Sequence, residues 1–169
     1  GEIGVESEAG IGSTFWFRVP LDLVEREPVR PPHIREQGAP RALIVEQDAR
    51  GGELLRDYLL AWGMRPVLTA SANAALEALS GATDDPFEAV LVGLKLDSEE
   101  FQRLLAGLER QPSLATVPRL LLADQDEKGL DARSRRLGFA AWLTRPVHRA
   151  RLFDALAGLL GGTSAPVSR

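Results

Sequence analysis

From Arg41 onward, short apolar runs of strand length alternate five times with segments of helical periodicity. The runs are RALIVEQ, MRPVLTA, EAVLVGL, VPRLLLA and AAWLT. Strands that are apolar throughout are typical of a parallel sheet covered on both faces, and parallel neighbours need a crossover between them. Because right-handed crossovers leave few topologies, we expect residues 41–161 to form an α/β fold, with a five-stranded parallel sheet in the flavodoxin-like order 2-1-3-4-5 and helices on both faces.

Local signals mark where the helices between these strands begin and end. Asp48 and Ser71 each precede a helical pattern and can cap its first turn. Asp97 and Ser98 open the third helix, and we expect Asp97 to act as an N-cap there. The helices are expected to stop at glycines, namely Gly63, Gly81 and Gly138.

The first 24 residues have a different character. Their sequence, GEIGVESEAGIGSTFWFRVPL and the next three residues, alternates around a glycine-rich turn and predicts a β-hairpin. Residues 25–40 contain four prolines, mixed charges and one isoleucine, which favours a linker. Residues 162–169 are interpreted as a second linker or tail. Because the chain opens inside a strand-like pattern, we expect it to be a piece of a longer protein.

Composition excludes several classes of function. The chain has no cysteine, so disulfides, thiolate catalysis and cysteine metal sites are ruled out. The net charge of −4 gives no electrostatic case for a nucleic-acid or membrane surface. His33 and His148 lie far apart and are expected to be solvent-exposed. No apolar run approaches the roughly 20 residues of a membrane span.

Two stretches resemble parts of one signalling assembly. The segment GEIGVESEAGIGSTFWFRVPL resembles the closing hairpin of the ATP-binding domain of sensor histidine kinases. Residues 41–161 resemble a two-component receiver domain, on VEQD after the first strand, AVLVGL, PRLLLA and LTRPV. The order of hairpin, linker and receiver is that of a hybrid sensor kinase. The resemblance implies an aspartate acceptor after the third strand, an acidic pair that holds Mg²⁺, a hydroxyl residue after the fourth strand and a lysine before a proline.

Carried over position by position, most of that site is missing. Gly93 stands at the acceptor position, and Glu46 and Gln47 stand where the acidic pair would be. Ala123 replaces the hydroxyl residue, and Arg145 replaces the lysine with a cation of different shape. We therefore interpret residues 41–161 as a pseudo-receiver, with a degenerate phosphoacceptor site, no catalytic residue and no bound metal or other cofactor. Mg²⁺ binding is not expected, because this ion prefers carboxylate oxygens.

The remaining charged groups leave two interpretations open. Glu46 and Asp48 with Arg145 could form an acid–base pair or bind a cation, but an internal salt bridge that fills the vacated pocket is favoured. Recruiting Asp97 as a displaced acceptor would make the third strand too long. Pro146 is expected to follow a cis peptide bond, as its equivalent in receivers does. Gly10 and Gly12 resemble glycines of a nucleotide site whose other parts are not in this sequence.

A possible ligand surface is predicted around Trp142 on the fifth strand. Its neighbours on the face of the fourth and fifth helices are expected to be arginines, namely Arg133, Arg135, Arg136, Arg149 and Arg151. An aromatic ring beside arginines can bind a planar anion such as a cyclic dinucleotide. The alternative is a solvated helix surface of balanced charge, with Trp142 as a packing residue, and this interpretation is favoured.

The sequence therefore leads to one main hypothesis and two alternatives. The main hypothesis is a phosphorylation-incompetent, non-enzymatic and cytoplasmic receiver module of a hybrid sensor histidine kinase. It would dock, through helices 4 and 5 or helix 1, on the catalytic or dimerisation domains of the same kinase. A further receiver or a phosphotransfer domain could follow it in the parent chain. The alternatives are a sensor of cyclic dinucleotides and, least favoured, a phosphoacceptor that uses a displaced acid.

Overall fold

The structure, a computed structural model, describes residues 1–21, 39–111, 114, 116–125 and 129–161. The expected linker lies outside the described residues except for its last two positions, and His33 and the 162–169 tail lie outside them too. The described residues form a two-stranded sheet near the N-terminus and a five-stranded sheet from Arg41 onward. Within these ranges no helix has the length and apolar character needed to cross a membrane.

The N-terminal strands form the predicted antiparallel hairpin. Strand β1 spans Glu2–Glu8 and strand β2 spans Gly12–Arg18. Gly10 in the turn and Gly12 at the start of β2 have φ angles of 82° and 138°, a region that favours glycine. Cross-strand pairing places four apolar side chains on one face of the hairpin, and all of them are exposed: Ile3, Val5, Phe15 and Phe17.

The second sheet confirms the predicted topology. Its strands are β3 (Arg41–Val45), β4 (Arg65–Thr69), β5 (Ala89–Val92), β6 (Arg119–Ala123) and β7 (Ala141–Thr144). They are all parallel and lie in the order β4-β3-β5-β6-β7, which is the order 2-1-3-4-5 for this sheet. The carboxyl ends of β3, β5, β6 and β7 therefore meet at one edge, with β5 in the centre.

In the part of the chain that the structure describes, five α-helices connect and follow the strands of the second sheet. They are α1 (Ala49–Ala61), α2 (Ala72–Ser80), α3 (Glu99–Glu109), α4 (Leu130–Arg136) and α5 (Arg149–Leu160). Asp48 and Ser71 cap α1 and α2 as predicted. The expectation that Asp97 caps α3 is wrong: the hydroxyl of Ser98 accepts the bond from the Phe101 N–H, at 3.1 Å. The hydroxyl can therefore close the cap one residue later, which leaves the Asp97 carboxylate available to another element.

The sheet separates two hydrophobic cores. Helices α1 and α5 cover one face, where Trp62 packs edge-on against Phe153 with ring centroids 5.2 Å apart. Helices α2, α3 and α4 cover the other face, where Phe101 stacks on Phe139. Each strand sends alternate side chains to the two cores, so Leu143 joins the α1/α5 core and Trp142 packs against the other. This two-sided burial explains why the strands are apolar throughout.

Candidate functional site

A pocket of about 230 Å³ opens at the carboxyl edge of the five-stranded sheet. This edge is where open parallel α/β sheets bind their ligands. The pocket is lined by residues that directly follow β3 and β5, by the last residues of β6 with the residue after them, and by one residue from the loop after β7: Glu46, Gln47, Asp48, Gly93, Leu94, Lys95, Leu96, Leu122, Ala123, Asp124 and Arg145. All five residues of the predicted degenerate site are therefore brought to one place.

Gly93 lies at the centre of this edge, immediately after β5. Its N–H donates to the carbonyl oxygen of Val45 at 2.8 Å, which continues the pairing of β5 with β3. Its own carbonyl oxygen accepts a bond from Nη2 of Arg145 at 2.9 Å. Both backbone groups of Gly93 are thus bonded within the protein, and its α-carbon faces the charged side chains of the pocket.

Glu46 and Arg145 form an ion pair across the pocket, between Oε2 of the carboxylate and Nη2 of the guanidinium. The other carboxylate oxygen, Oε1, accepts a bond from the N–H of Asp48 at 3.1 Å. The Glu46 side chain is only 3% exposed and that of Arg145 is 27% exposed. A buried carboxylate needs partners for both oxygens, and here both have one. The predicted internal salt bridge is confirmed for Glu46, while Asp48 has a different role.

The ion pair occupies the space that a side chain at position 93 would need. A Cβ atom built on Gly93 would lie 2.5 Å from Nη2 of Arg145 and closer still to Oε2 of Glu46. Real Cβ atoms essentially never approach other heavy atoms within 3.0 Å. A side chain at position 93 would therefore require the ends of the Glu46 and Arg145 side chains to shift from their bonded positions. Glycine at position 93 therefore leaves room for the Glu46–Arg145 pair.

The other two positions of the degenerate site contribute in different ways. Gln47 is exposed at the pocket rim. Ala123 is buried, and its carbonyl oxygen accepts the backbone N–H of Arg145 at 2.8 Å. Asp48, instead of pairing with Arg145, accepts the N–H of Gly51 with Oδ2 at 2.9 Å and so caps α1. The carboxylate of Asp48 is therefore committed to the first turn of a helix.

Asp124 is a pocket residue that sequence reasoning missed. Its Oδ1 lies 3.6 Å from Nε of Arg145, and its side chain is half exposed. The signal was available, because Asp124 directly follows the predicted fourth strand and the carboxyl ends of parallel strands converge. Arg145 is thus bonded or close to groups that follow three other strands. Within the described ranges, no group of three His, Asp or Glu side chains is placed to hold a metal ion.

The predicted ligand surface is not assembled as one face. Trp142 is half-buried against the α2/α3/α4 core, whereas the guanidinium of Arg149 lies over the rings of Tyr58 and Trp62, on the α1/α5 side of the sheet. On α4, Arg133 donates to Asp97 at 2.5 Å and Arg135 donates to Asp131 at 3.0 Å. Arg136 and Arg151 are exposed on α4 and α5. Trp142 and Arg149 are therefore on opposite sides of the sheet, and two of the α4 arginines already bind carboxylates.

Two smaller expectations are met. The peptide bond between Arg145 and Pro146 is cis, as predicted. His148, which is the histidine within the residues that the structure describes, is exposed. It precedes α5, and its side chain makes no capping hydrogen bond.

Comparison with known proteins places this fold. No family model matches the chain. Over 111 residues, or 66% of the chain, it is 34% identical to the sensor histidine kinase AruS of Pseudomonas aeruginosa, of which it spans 11%. Among solved structures, a sensor protein from Polaromonas sp. JS666 aligns over 73% of this chain and 98% of its own, with 25% identity and a TM-score of 0.63. The receiver domain of a signal transduction histidine kinase from Syntrophus aciditrophicus aligns over 78% and 97%, with 24% identity and a TM-score of 0.62.

A response regulator from Chloroflexus aurantiacus is similar at the same level, with a TM-score of 0.62 and 22% identity over 73% of this chain and 98% of its own. These likenesses confirm the flavodoxin-like receiver fold that the sequence predicts. Together with the partial match to a sensor histidine kinase, they connect the domain with two-component signalling.

Proposed function

We propose that residues 41–161 are a phosphorylation-incompetent receiver module of a hybrid sensor histidine kinase, which regulates that kinase by docking within the same chain. The observation that carries this proposal is the Glu46–Arg145 ion pair, because it fills the space next to Gly93 where an acceptor side chain would lie. The receiver fold supports the class of module, and the partial likeness to a sensor histidine kinase supports the class of parent protein.

The pocket lacks most of the groups that phosphoryl transfer needs. A transferred phosphoryl group needs a nucleophile, a metal held by carboxylates and a cation at the developing charge. Position 93 offers no nucleophile, both oxygens of Glu46 are engaged, and Gln47 is a neutral amide. Asp97, the displaced acid considered from the sequence, binds Arg133 on α4. We therefore place the phosphoacceptor alternative last.

The direct test is incubation of the 169-residue chain with acetyl phosphate and Mg²⁺, followed by intact-mass analysis. We expect no phosphate adduct, while an active receiver treated in parallel should gain one. Treatment with hydroxylamine distinguishes a labile acyl phosphate from other adducts. A stoichiometric, hydroxylamine-sensitive adduct on this chain would refute phosphorylation incompetence, and peptide mapping would show whether Asp97 carries it.

The N-terminal hairpin supports the proposed parent. A two-stranded hairpin with an exposed apolar face is at best marginally stable alone, so the face formed by Ile3, Val5, Phe15 and Phe17 requires a covering surface. We propose that residues 1–24 are the end of a histidine-kinase ATP-binding domain, residues 25–40 a linker and residues 162–169 a linker or tail. In this proposal the remaining sheet of the ATP-binding domain covers that face, and the parent is an ATP-dependent kinase with the receiver on its cytoplasmic side.

Docking is the step through which such a module would regulate its parent. The partners we propose are the catalytic or dimerisation domains of the same kinase, with a further receiver or phosphotransfer domain downstream. Because control requires a docked and a released population, deletion of residues 41–161 from the full-length kinase should change the rate of autophosphorylation. An unchanged rate, with the truncated kinase still folded, would argue against intramolecular regulation.

Sensing of a cyclic dinucleotide is the second function that we considered, and the positions of the arginines support it less. A planar dianion would need Trp142 and several arginines on one surface, but Arg149 lies over Tyr58 and Trp62 instead. Thermal unfolding with and without cyclic dinucleotides tests it, because a bound ligand raises the midpoint by mass action. A concentration-dependent rise that Arg136→Ala removes would favour the sensor over the docking module.

A further inference from the structure

Arg145 is the group at the carboxyl edge from which a further inference starts. A guanidinium that faces a pocket at this edge of an open α/β sheet is an anion receptor by its chemistry, because its planar donors match carboxylate and phosphate oxygens. Here its Nη2 is bonded to Oε2 of Glu46 and to the carbonyl oxygen of Gly93, and its backbone N–H is bonded to Ala123. The receptor is therefore present, and a carboxylate of the same chain is bound to it.

Glu46 is held in that position by more than its charge. Its backbone N–H donates to the carbonyl oxygen of Thr69 at 2.9 Å, and its Oε1 accepts the N–H of Asp48. The missing side chain at Gly93 leaves the space through which Oε2 reaches Arg145. The carboxylate is thus positioned by the ends of three strands and by the loop that leads into α1, before any ligand arrives.

We propose that Glu46 is a built-in anion that permanently occupies the anion receptor at Arg145. It thereby holds the loop between β7 and α5 in one arrangement without a ligand. This inference rests on the proposed function, because it assumes that no phosphoryl group forms at position 93. Beyond that function, we infer that the site carries its own ligand, the Glu46 carboxylate. The module would then have a single conformational state, and its docking would depend on the partner alone.

A tethered carboxylate has a large advantage over a free one. Groups that are fixed in position reach effective concentrations far above the millimolar levels of cellular anions, so free phosphate or acetate cannot displace Glu46. Removing the Glu46 carboxylate should reverse the situation. It leaves a cavity on the Nη2 side of the guanidinium, whose remaining described carboxylate neighbour is the half-exposed Asp124, 3.6 Å from Nε. A small oxyanion from solution fits that cavity by size and charge.

The experiment compares thermal unfolding of the 169-residue chain and its Glu46→Ala variant with sodium acetate, formate or inorganic phosphate. Sodium chloride at equal ionic strength sets the baseline. We expect Glu46→Ala to unfold at a lower temperature and to recover in the oxyanions. The rise should be about 5 °C at 50 mM if the dissociation constant is about 5 mM. The unsubstituted chain should show no rise beyond the chloride baseline.

Two further variants identify the receptor. Glu46→Ala combined with Arg145→Ala should lose the recovery, because the guanidinium that binds the anion is gone. Glu53→Ala removes an exposed carboxylate of α1 that pairs with Arg56, and it should show no oxyanion effect. If Glu46→Ala gains no more from oxyanions than the unsubstituted chain, or if the double variant recovers equally, the inference is wrong.

A variant that does not fold still gives an answer. If Glu46→Ala is unfolded in chloride, refolding in acetate or phosphate should restore its circular dichroism, and failure to restore it would contradict the inference. The outcomes are separate from those of the proposed function. A phosphate adduct after acetyl phosphate treatment refutes phosphorylation incompetence, whereas absence of rescue with no adduct refutes only the built-in anion.

Discussion

The two edges of the five-stranded sheet each carry an arginine–carboxylate cluster, but in opposite surroundings. At the carboxyl edge, Glu46 is 3% exposed and its partner Arg145 lies over a strand end that has no side chain. At the amino edge, Asp85 is half exposed and receives two bonds from Arg65, at 2.8 and 2.7 Å. Arg41 approaches the same carboxylate at 3.7 Å and lies over the ring of Phe87.

The comparison shows that bond geometry alone does not rank ion pairs. The amino-edge cluster has the better bidentate geometry, yet water and salt screen it because both partners are about half exposed. At the carboxyl edge the Glu46 carboxylate is almost fully buried, so removing its partner Arg145 leaves a charge in a buried place without a cation beside it. Burial, rather than the count of hydrogen bonds, should decide which cluster the fold depends on.

The largest effect is expected from Arg145→Met, which keeps much of the side-chain stem and removes the charge. Glu46 would then stay buried without a cationic partner, and its carboxylate would keep the hydrogen bond from the Asp48 N–H. A buried charge without a partner lowers the free energy of unfolding by about 3 kcal/mol. Urea denaturation of the 169-residue chain measures this loss. Arg65→Met, at the exposed cluster, is the matched control. Equal losses for the two variants would contradict the role that we give to burial.

A smaller but still clear loss is expected from Gly93→Ala. The φ angle of Gly93 lies outside the left-handed region, so the backbone accepts alanine and the cost comes from its contact with the ion pair. Overpacking of this kind costs about 1–3 kcal/mol of the free energy of unfolding. Gly81→Ala is the control, since a Cβ there would meet only the carbonyl oxygen of Glu77, at 3.3 Å.

The same substitution allows the contact to be assigned by a double-mutant cycle. In a Glu46→Ala background the Gly93→Ala cost should shrink by about 1 kcal/mol or more, because the oxygen that the new methyl group meets is gone. Additive losses from the two substitutions would mean that residue 93 and the ion pair do not share this space.

A still smaller effect is expected from Arg65→Met. Its loss of stability should be less than about a third of the Arg145→Met loss, because exposed pairs contribute little even with good geometry. It should also depend on salt: 1 M sodium chloride shortens the screening length to about 3 Å and should remove most of the difference from the unsubstituted chain. An Arg65→Met loss that is large and insensitive to salt would show that the amino-edge cluster is more than a surface contact.

Part of the fold and of the candidate site could be predicted from the sequence. The strands and their order could be predicted, because apolar runs report burial and crossover handedness limits topology. The Glu46–Arg145 pair could be predicted too, since β3 and β7 end at one edge and a buried cation needs a carboxylate.

Other features depend on choices that the sequence pattern does not encode. Asp97 and Ser98 are both residue types that cap helices. The path of the loop after β5 makes Ser98 the N-cap of α3, and the Asp97 carboxylate binds Arg133 instead. The sequence pattern does not give the rotation of α5 about its axis, and it is this rotation that places the Arg149 guanidinium over Tyr58 and Trp62. The reason for glycine at position 93 appears only when two residues 99 positions apart in sequence are placed in contact.

The smallest predicted effect is the pH dependence of stability that the exposed Asp85–Arg65 pair at the amino edge contributes. The hydrogen bonds from Arg65 lower the pKa of Asp85 below its ordinary value of 3.8, so the folded state favours the ionised carboxylate more than the unfolded state does. The resulting stability is complete above the unfolded pKa and is lost as the pH falls through the folded pKa. The difference in stability between the unsubstituted chain and Asp85→Asn should therefore be constant above about pH 5 and shrink below about pH 4. Urea midpoints of both chains from pH 3 to pH 7 measure it, and a difference that stays constant or grows toward low pH would show that Asp85 contributes through packing rather than through its charge.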